Sequence, residues 1–499
     1  MKNDFERKAP ESAGIPSRAI LAYLEELQAE NLCLHDVLIF HDEKLIYEGY
    51  WKPMNRDSMQ RLYSCSKSFV SVAVGAAIGE GLISLDDKVN KFFPDKVPEN
   101  QHPWQAATTV RDLLRMSTGN SRGVTYSPAD PDWADTWFCE TPSHEPSRVF
   151  QYDTTATTML CIIIKRATGK EFMEYLRERV FDKIGFDPEG KAWCVESTCG
   201  HQWGGSGVVC KPYDFARFAM FCMHYGRHNG EQLVPEWYMR EATSKQIDIQ
   251  HYMPHCNNDG YGYQFWTLPD GGFSFNGMGC QFAVCLPEKK LLLVTHGYEQ
   301  LSTVAKPLII RAFLRNIAVN ADGKSIKVKK DEVSELSQYT SELKLASPRG
   351  EKHNPVALEI GGRRYAFDSN ELRIEWLQVD FYDDGGVINY KNSDGKCSLE
   401  FSFSSQAEQF FPAPAPHGRR IGVSNDKPYR CFTSAAWSER KCDGAQSDTL
   451  SVWSQICDIY KAQLRMTFAF GEDSVTVIMK KDAEWFLDNY SGFATGIIE

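Results

Sequence analysis

Over the first 320 residues, apolar positions follow helix-like and strand-like periods in turn. Ile20, Leu21, Leu24 and Leu27 recur on one face behind Ser17, which predicts an amphipathic helix opened by a capping serine. Val37 to Phe40 and Leu45 to Tyr47 read as a hairpin. A second hairpin is predicted where Gln281 to Leu286 and Leu291 to Thr295 flank Pro287-Glu288-Lys289-Lys290, followed by an amphipathic helix from about Val304 to Ile317. Val70 to Ile78 is different: it is apolar on nearly every side, so the predicted helix is buried all round.

Past residue 320 the period changes. Asn320 to Lys330 is polar and charged and reads as a linker. Strand-like runs then follow at Val356 to Phe367, Leu372 to Tyr382, Gly386 to Tyr390, Ser398 to Phe403, Leu450 to Trp453, Ala462 to Phe470 and Ser474 to Met479. Such a series predicts an antiparallel barrel or sandwich. With no internal repeat or low-complexity tract, the expected division is a mixed domain at 1–320, a linker at 321–335 and a β-rich domain at 336–499.

Composition narrows the function classes. The chain has 499 residues and a net charge of −11 with no long basic run, which argues against a nucleic-acid partner. Met1 to Pro10 carries charges where a secretory signal needs an apolar core, and no stretch approaches the ~20 apolar residues of a membrane span. A cytoplasmic protein without a membrane partner is expected. Fifteen cysteines without a framework spacing fit reduced, packed thiols. His224 and His228 stand at i, i+4, as do His251 and His255 beside Cys256, but neither pair has a clear third ligand nearby, so no metal or other cofactor is expected.

The chemistry-bearing candidates begin with Ser-x-x-Lys. Five stretches fit it, beginning at Ser64, Ser341, Ser393, Ser424 and Ser438, but only Ser64-Cys65-Ser66-Lys67 runs straight into an apolar helix-like segment. A serine in the first helical turn lies near unsatisfied N–H groups and the positive end of the dipole. At i, i+3 Lys67 shares its face, and burial lowers a lysine pKa, so Lys67 is a candidate base and Ser64 a candidate nucleophile. Tyr152, directly before the helix-like Met159 to Lys165, can reach a cleft from a loop-to-helix junction, and a neighbouring ammonium is expected to lower its phenol pKa. Asn276-Gly277-Met278-Gly279-Cys280-Gln281 opens the second hairpin, where glycines let backbone approach a ligand and donate an N–H to an oxyanion. Taken singly, Ser64 also reads as a capping serine before a chance lysine, Tyr152 as packing and the glycine-rich strand as a simple bulge or tight turn. Trp133 and Trp137, within Tyr126 to Phe138, are expected to form a lid or pocket wall, with Trp203 adding to it. No Gly-x-Ser-x-Gly elbow, P-loop or dinucleotide fingerprint is present.

In this order, Ser-x-x-Lys, then Tyr152, then a glycine-rich strand, the chain resembles the serine β-lactamase and penicillin-recognising superfamily, in its class C-like esterase and 6-aminohexanoate-dimer hydrolase branches. Thr109-Val110-Arg111-Asp112-Leu113-Leu114, Ser117-Thr118-Gly119, Gly204-Gly205 and Pro212-Tyr213-Asp214-Phe215-Ala216-Arg217-Phe218 look like segments of that family, and the likeness runs from about Pro10 to Asn320. It implies an α+β fold, an antiparallel sheet flanked by helices plus a helical subdomain, followed here by the all-β domain. It also implies Ser64 as acylated nucleophile, Lys67 as its base, Tyr152 as the relay to the leaving group, and backbone N–H groups of Ser64 and Met278 as oxyanion hole. There are departures. The family's Lys-Thr-Gly is replaced by Asn276-Gly277-Met278; the amide hydrolases' Gly-x-His-Gly-Gln is matched only at Gly277 and Gln281; and Tyr152-Asp153-Thr154 keeps a hydroxyl where an amide is common. Thr154, Asn276 and Gly277 are carried as substrate-contacting candidates. The expected reaction is cleavage of a small ester or amide through an acyl-enzyme on Ser64. A β-lactamase or DD-peptidase, and an inactive binding or scaffold protein of the same fold, are the alternatives, and homo-oligomerisation is left open.

Overall fold

The computed structural model describes residues 4–30, 32–120, 132–197, 199–253, 258–299, 305–393, 395–411, 422–423, 429–442, 445–457, 460–483 and 490–499. They fall into two compact units, 1–344 with 421–423, and 345–420 with 424–499.

The first unit is built on a seven-stranded antiparallel sheet. Its strands are β1 (Cys33–His41), β2 (Lys44–Tyr50), β3 (Gly260–Tyr261), β4 (Trp266–Thr267), β5 (Phe273–Gly277), β6 (Gln281–Leu286) and β7 (Leu291–Tyr298). They lie in the order β2-β1-β7-β6-β5-β4-β3. β6 and β7 are buried at every residue, so Phe282 to Leu286 and Leu291 to Val294 read in the sequence as apolar runs instead of alternating ones. Among the helices are α1 (Ser17–Ala29), α2 (Ser66–Gly79), α3 (Thr154–Thr168), α4 (Pro212–Met223), α5 (Ala305–Phe313) and α6 (Lys330–Glu342). α4 packs on β6 and β7, while α1 packs against α5 and α6.

α6 corrects the linker at 321–335. Charges dominate its sequence and Leu336 is its one buried residue among those described, so no apolar stripe announces it. Polar contacts hold it to α1, including Arg18 to Glu335 at 3.2 Å.

α2 is the centre of the helical region. Its residues from Ser66 to Ala77 are all buried, and it packs against α3 and the short helices Phe172–Leu176 and Glu236–Ala242. Each fully buried Val or Phe contributes about 1.5–3 kcal/mol, which makes α2 an anchored rod. A polar hub holds it in register. Ser68 Oγ donates to the Gln264 carbonyl at 2.7 Å, Thr157 of α3 donates to Gln264 Oε1 at 2.7 Å, and Gln264 Nε2 donates to the carbonyls of Leu113 and Leu114 at 3.1 and 2.8 Å. α2, α3 and the approach to β4 therefore share one buried residue, Gln264.

The second unit is a barrel rather than a sandwich. Nine strands, Arg364–Phe367, Ile374–Tyr382, Gly385–Asn392, Gly395–Ser402, Arg430–Cys442, Ala445–Ile456, Ala462–Phe470, Ser474–Ala483 and Tyr490–Ile498, form a ring closed by a parallel bridge between Ser402 and Ser434. Alternate residues such as Leu464, Met466 and Phe468 fill the interior. Val356–Ile360, expected as strand, is a helical turn: Asn354 Oδ1 accepts from Val356 N–H at 2.9 Å, and Gly361 and Gly362 follow. Among the described residues, no helix is long and apolar enough to cross a membrane.

Gly75 is required by the packing on α2, because a Cβ there would lie 2.5 Å from the Tyr238 ring and 2.8 Å from Val234 Cγ1. Alanine favours helix over glycine by about 1 kcal/mol, but overpacking costs about 1–3 kcal/mol. Gly75→Ala is therefore expected to lower the urea midpoint, and a raised midpoint would show that the contact yields.

Candidate active site

Ser64 lies on the 3-10 turn Tyr63–Cys65 that leads into α2, and Tyr63 ahead of it adopts φ +48°. The turn is fixed from two sides. Leu62 N–H donates to the Val208 carbonyl at 2.8 Å, and Val208 N–H donates to Ser66 Oγ at 3.0 Å. Gly277, at the end of β5, lies against it: a Cβ there would come 2.3 Å from the Leu62 carbonyl oxygen and 3.1 Å from Cys65 Sγ. Only glycine lets the strand pass this close.

Lys67 stands one turn on, 1% exposed. Its Nζ donates to Ser64 Oγ at 3.2 Å and to the Gly205 carbonyl at 2.6 Å. Buried Arg61 donates to the carbonyl of the next residue, Ser206, at 2.9 Å and so steadies that loop. Burial lowers the Lys67 amine from its usual 10.5 to about 7, partly opposed by the charge of Asp153. At neutral pH a large fraction of this amine can accept a proton from the hydroxyl it touches.

Tyr152 presents its ring 5.0 Å from Lys67 Nζ. Burial pushes its phenol well above 10, opposed by a hydrogen bond with Ser64. This reverses the expectation of a lowered value, because desolvation is the largest influence on the phenol. The phenol thus stays protonated and can only donate. Its placement comes from the segment before α3. Gln151 N–H donates to the Met116 carbonyl at 2.9 Å, Ser147 N–H donates to Ser117 O at 2.8 Å, and Asp112 accepts the hydroxyls of Ser117 and Ser147 at 3.0 and 2.5 Å. The Thr109 to Ser117 landmarks therefore hold Tyr152 in place. Asp153 N-caps α3 by accepting from Thr155 N–H at 2.8 Å, and burial pushes its carboxyl up to about 6.

The turn between β5 and β6 runs through Met278, Gly279 and Cys280, the last two at φ +76° and +72°. Gln281 Nε2 donates to the carbonyls of Met278, Gly279 and Gly297 at 2.9, 2.5 and 2.8 Å and fixes the turn to β7. Ser64, Tyr152, Asn276, Gly277 and Met278 then line one cleft of about 480 Å³, and Trp266, Tyr252, Met253 and Phe282 supply its apolar walls. Trp266 stacks on Tyr152 at 5.7 Å and 22°.

Other sequence candidates lie elsewhere. Trp133, Trp137 and Trp203 are each 1% exposed and do not line this cleft. Trp133 meets Trp203 edge-on at 5.9 Å, and Arg61 lies over Trp203. Tyr126 and the rest of 121–131 lie outside the described residues, as do His255 and Cys256. Thr154 opens α3 against the loop of Gly205, where a Cβ would meet its Cγ2 at 2.5 Å. Among the described residues no group of His, Cys, Asp and Glu could hold a metal ion. The sequence does not single out the Gly205 carbonyl, Asp153 or Trp266. Asp153 was visible only as the neighbour of Tyr152, and Trp266 only as a strand aromatic.

Comparison with known proteins gives this geometry a lineage. The β-lactamase family profile matches residues 22–297, and the chain belongs to that family. The 6-aminohexanoate-dimer hydrolase of Paenarthrobacter ureafaciens is 25% identical over 279 residues, covering 51% of this chain and 69% of that one. Lovastatin esterase of Penicillium rubens is 23% identical over 168 residues, 29% of this chain and 42% of that one. The solved D-amino acid amidase of Ochrobactrum anthropi SV3 superposes with a TM-score of 0.47 at 17% identity, covering 60% of this chain and 97% of that one. The first two of these relatives carry hydrolase and esterase names, and with the family match they support a serine hydrolase.

The lowered Lys67 pKa has a sign that stability measurements can read. Between about pH 7 and 10.5 the unfolded chain binds a proton that the folded chain does not, so this group makes folding more favourable as pH rises. Relative to Lys67→Met, the native protein is expected to gain on the order of 4 kcal/mol across that range. A flat difference between the two proteins would mean that the amine is solvated.

Proposed function

We propose that the chain hydrolyses a small ester or amide through an acyl-enzyme on Ser64. The observation that supports this best is the contact between the Ser64 hydroxyl and a buried amine titrating near neutrality. Neutral Lys67 takes the Ser64 proton as Oγ forms a bond to the substrate carbonyl carbon, and the carbonyl electron pair moves onto oxygen. Backbone N–H groups of Ser64 and Met278 receive that oxyanion. As the tetrahedral species collapses, the phenol of Tyr152 protonates the departing oxygen or nitrogen and is reprotonated from Lys67. Water then attacks the acyl carbon as neutral Lys67 takes its proton, the tetrahedral species collapses with release of Ser64 Oγ, and the Lys67 ammonium protonates that oxygen, giving the acid and free Ser64.

Ester and amide remain joint candidates, since the relatives include an amide-dimer hydrolase and an esterase by name. A β-lactamase or DD-peptidase reading has less support, because Asn276-Gly277-Met278 stands where those enzymes carry Lys-Thr-Gly.

Exposure to a fluorophosphonate followed by peptide mapping is expected to give one adduct, on Ser64. Ser64→Ala should abolish both adduct and turnover with an unchanged thermal midpoint; turnover surviving that substitution would sink the nucleophile assignment. The labelling rate should rise with pH to half its plateau near 7, where Lys67 loses its proton. Because the Asp153 charge favours the ammonium form, Asp153→Asn should move that half-point to lower pH. A half-point that stays put would remove Asp153 from the tuning of Lys67.

A further inference from the structure

The main chain on both sides of Tyr152 is tied to one residue. Gln151 N–H donates to the Met116 carbonyl at 2.9 Å, and Asp153 N–H donates to Met116 Sδ at 3.5 Å. Met116 is fully buried at φ +55°, in the left-handed region that side chains disfavour, so its turn has to be imposed by its surroundings. Asp112 imposes it. Its main-chain carbonyl accepts from Ser117 N–H at 2.9 Å, and its carboxylate Oδ1 accepts from Arg115 and the Ser117 hydroxyl at 3.0 Å each and from the Ser147 hydroxyl at 2.5 Å. Oδ2 accepts from the N–H and hydroxyl of Thr109 at 3.0 and 2.7 Å. Burial pushes the Asp112 carboxyl up, but hydrogen bonds from Ser147 and Thr109 outweigh it and hold the group below its usual range, so it is charged at neutral pH. One buried carboxylate thus clamps the turn that carries Met116 to the segment that carries Tyr152.

We propose that Asp112 is a positioning residue that sets which leaving groups the enzyme can expel: its carboxylate keeps the Tyr152 phenol in line with departing alcohols and amines, and without it turnover is confined to groups that leave unprotonated. The proposal rests on the serine hydrolase reading with Tyr152 as proton donor. An alkoxide or amine takes the phenol proton as its bond to the acyl carbon breaks, and the phenolate is reprotonated from the Lys67 ammonium. 4-Nitrophenolate departs as a stable anion and needs no such proton.

The test compares ethyl and 4-nitrophenyl esters of acetate, butanoate and hexanoate on the full chain. Asp112→Asn sets an amide NH2 against either the Thr109 donors or those of Arg115, Ser117 and Ser147. It is expected to lower kcat/KM for the ethyl esters about tenfold more than for the 4-nitrophenyl esters, with the loss in kcat. Ser147→Ala, at an exposed residue, removes a single bond to Asp112 and should give a smaller split in the same direction, which carries the test if Asp112→Asn does not fold. Tyr152→Phe should give the full split, and Asp112→Asn added to it should widen the split no further. Equal loss on both kinds of ester in the single variants, or a wider split in the double variant, overturns the proposal. So does a native protein that cleaves none of the ethyl esters. Any of these results with Ser64 still labelled by a fluorophosphonate leaves the hydrolase reading standing, whereas absence of labelling in the native protein ends both.

Discussion

A lysine amine with almost no access to water, held against the Gly205 carbonyl and the Ser64 hydroxyl, places demands on everything around it. A solvated lysine would stay charged at neutral pH and could not accept a proton, so the fold has to keep water out without offering the amine a close carboxylate. α2 meets the first demand by being apolar on all sides and packed by helices. Asp153 shows how the second is met: its carboxyl is near enough to raise the Lys67 pKa, but by less than burial lowers it.

The same burial separates the roles of amine and phenol. Both groups lie beside Ser64, but desolvation moves a base down and an acid up, so one low-dielectric setting drives the two pKa values apart. One group is left ready to take a proton and the other ready only to give one. Trp266 and Tyr252 line the cleft beside this pair.

How much of this was legible depended on whether the signal was local. The i, i+3 spacing of Ser64 and Lys67 ahead of an apolar run predicts their contact directly. The buried strands of the sheet appear as apolar runs, and much of the barrel follows from period-two alternation. α6 was invisible because one buried leucine does not make a stripe. The long strands Arg430–Cys442 and Ala445–Ile456 were shortened or lost because polar residues alternate densely along them. Trp133 and Trp137 in an acidic, proline-containing segment suggest a wall, with Trp203 beside them, but all three are buried away from the cleft. The Gly205 carbonyl could not be found from side chains at all.

The hub at Gln264 bears on how such an enzyme can change over evolutionary time. One buried residue, through its main-chain carbonyl and its side-chain amide together, ties the first turn of α2, the body of α3, the end of the 110–114 helix and the approach to Trp266, so the frame around the serine is cross-linked at one point. Side chains that merely project from that frame into the cleft can be exchanged without loosening it. Selectivity can drift from one acyl group to another while the proton-transfer machinery stays put, which makes this architecture a tolerant starting point for new substrates.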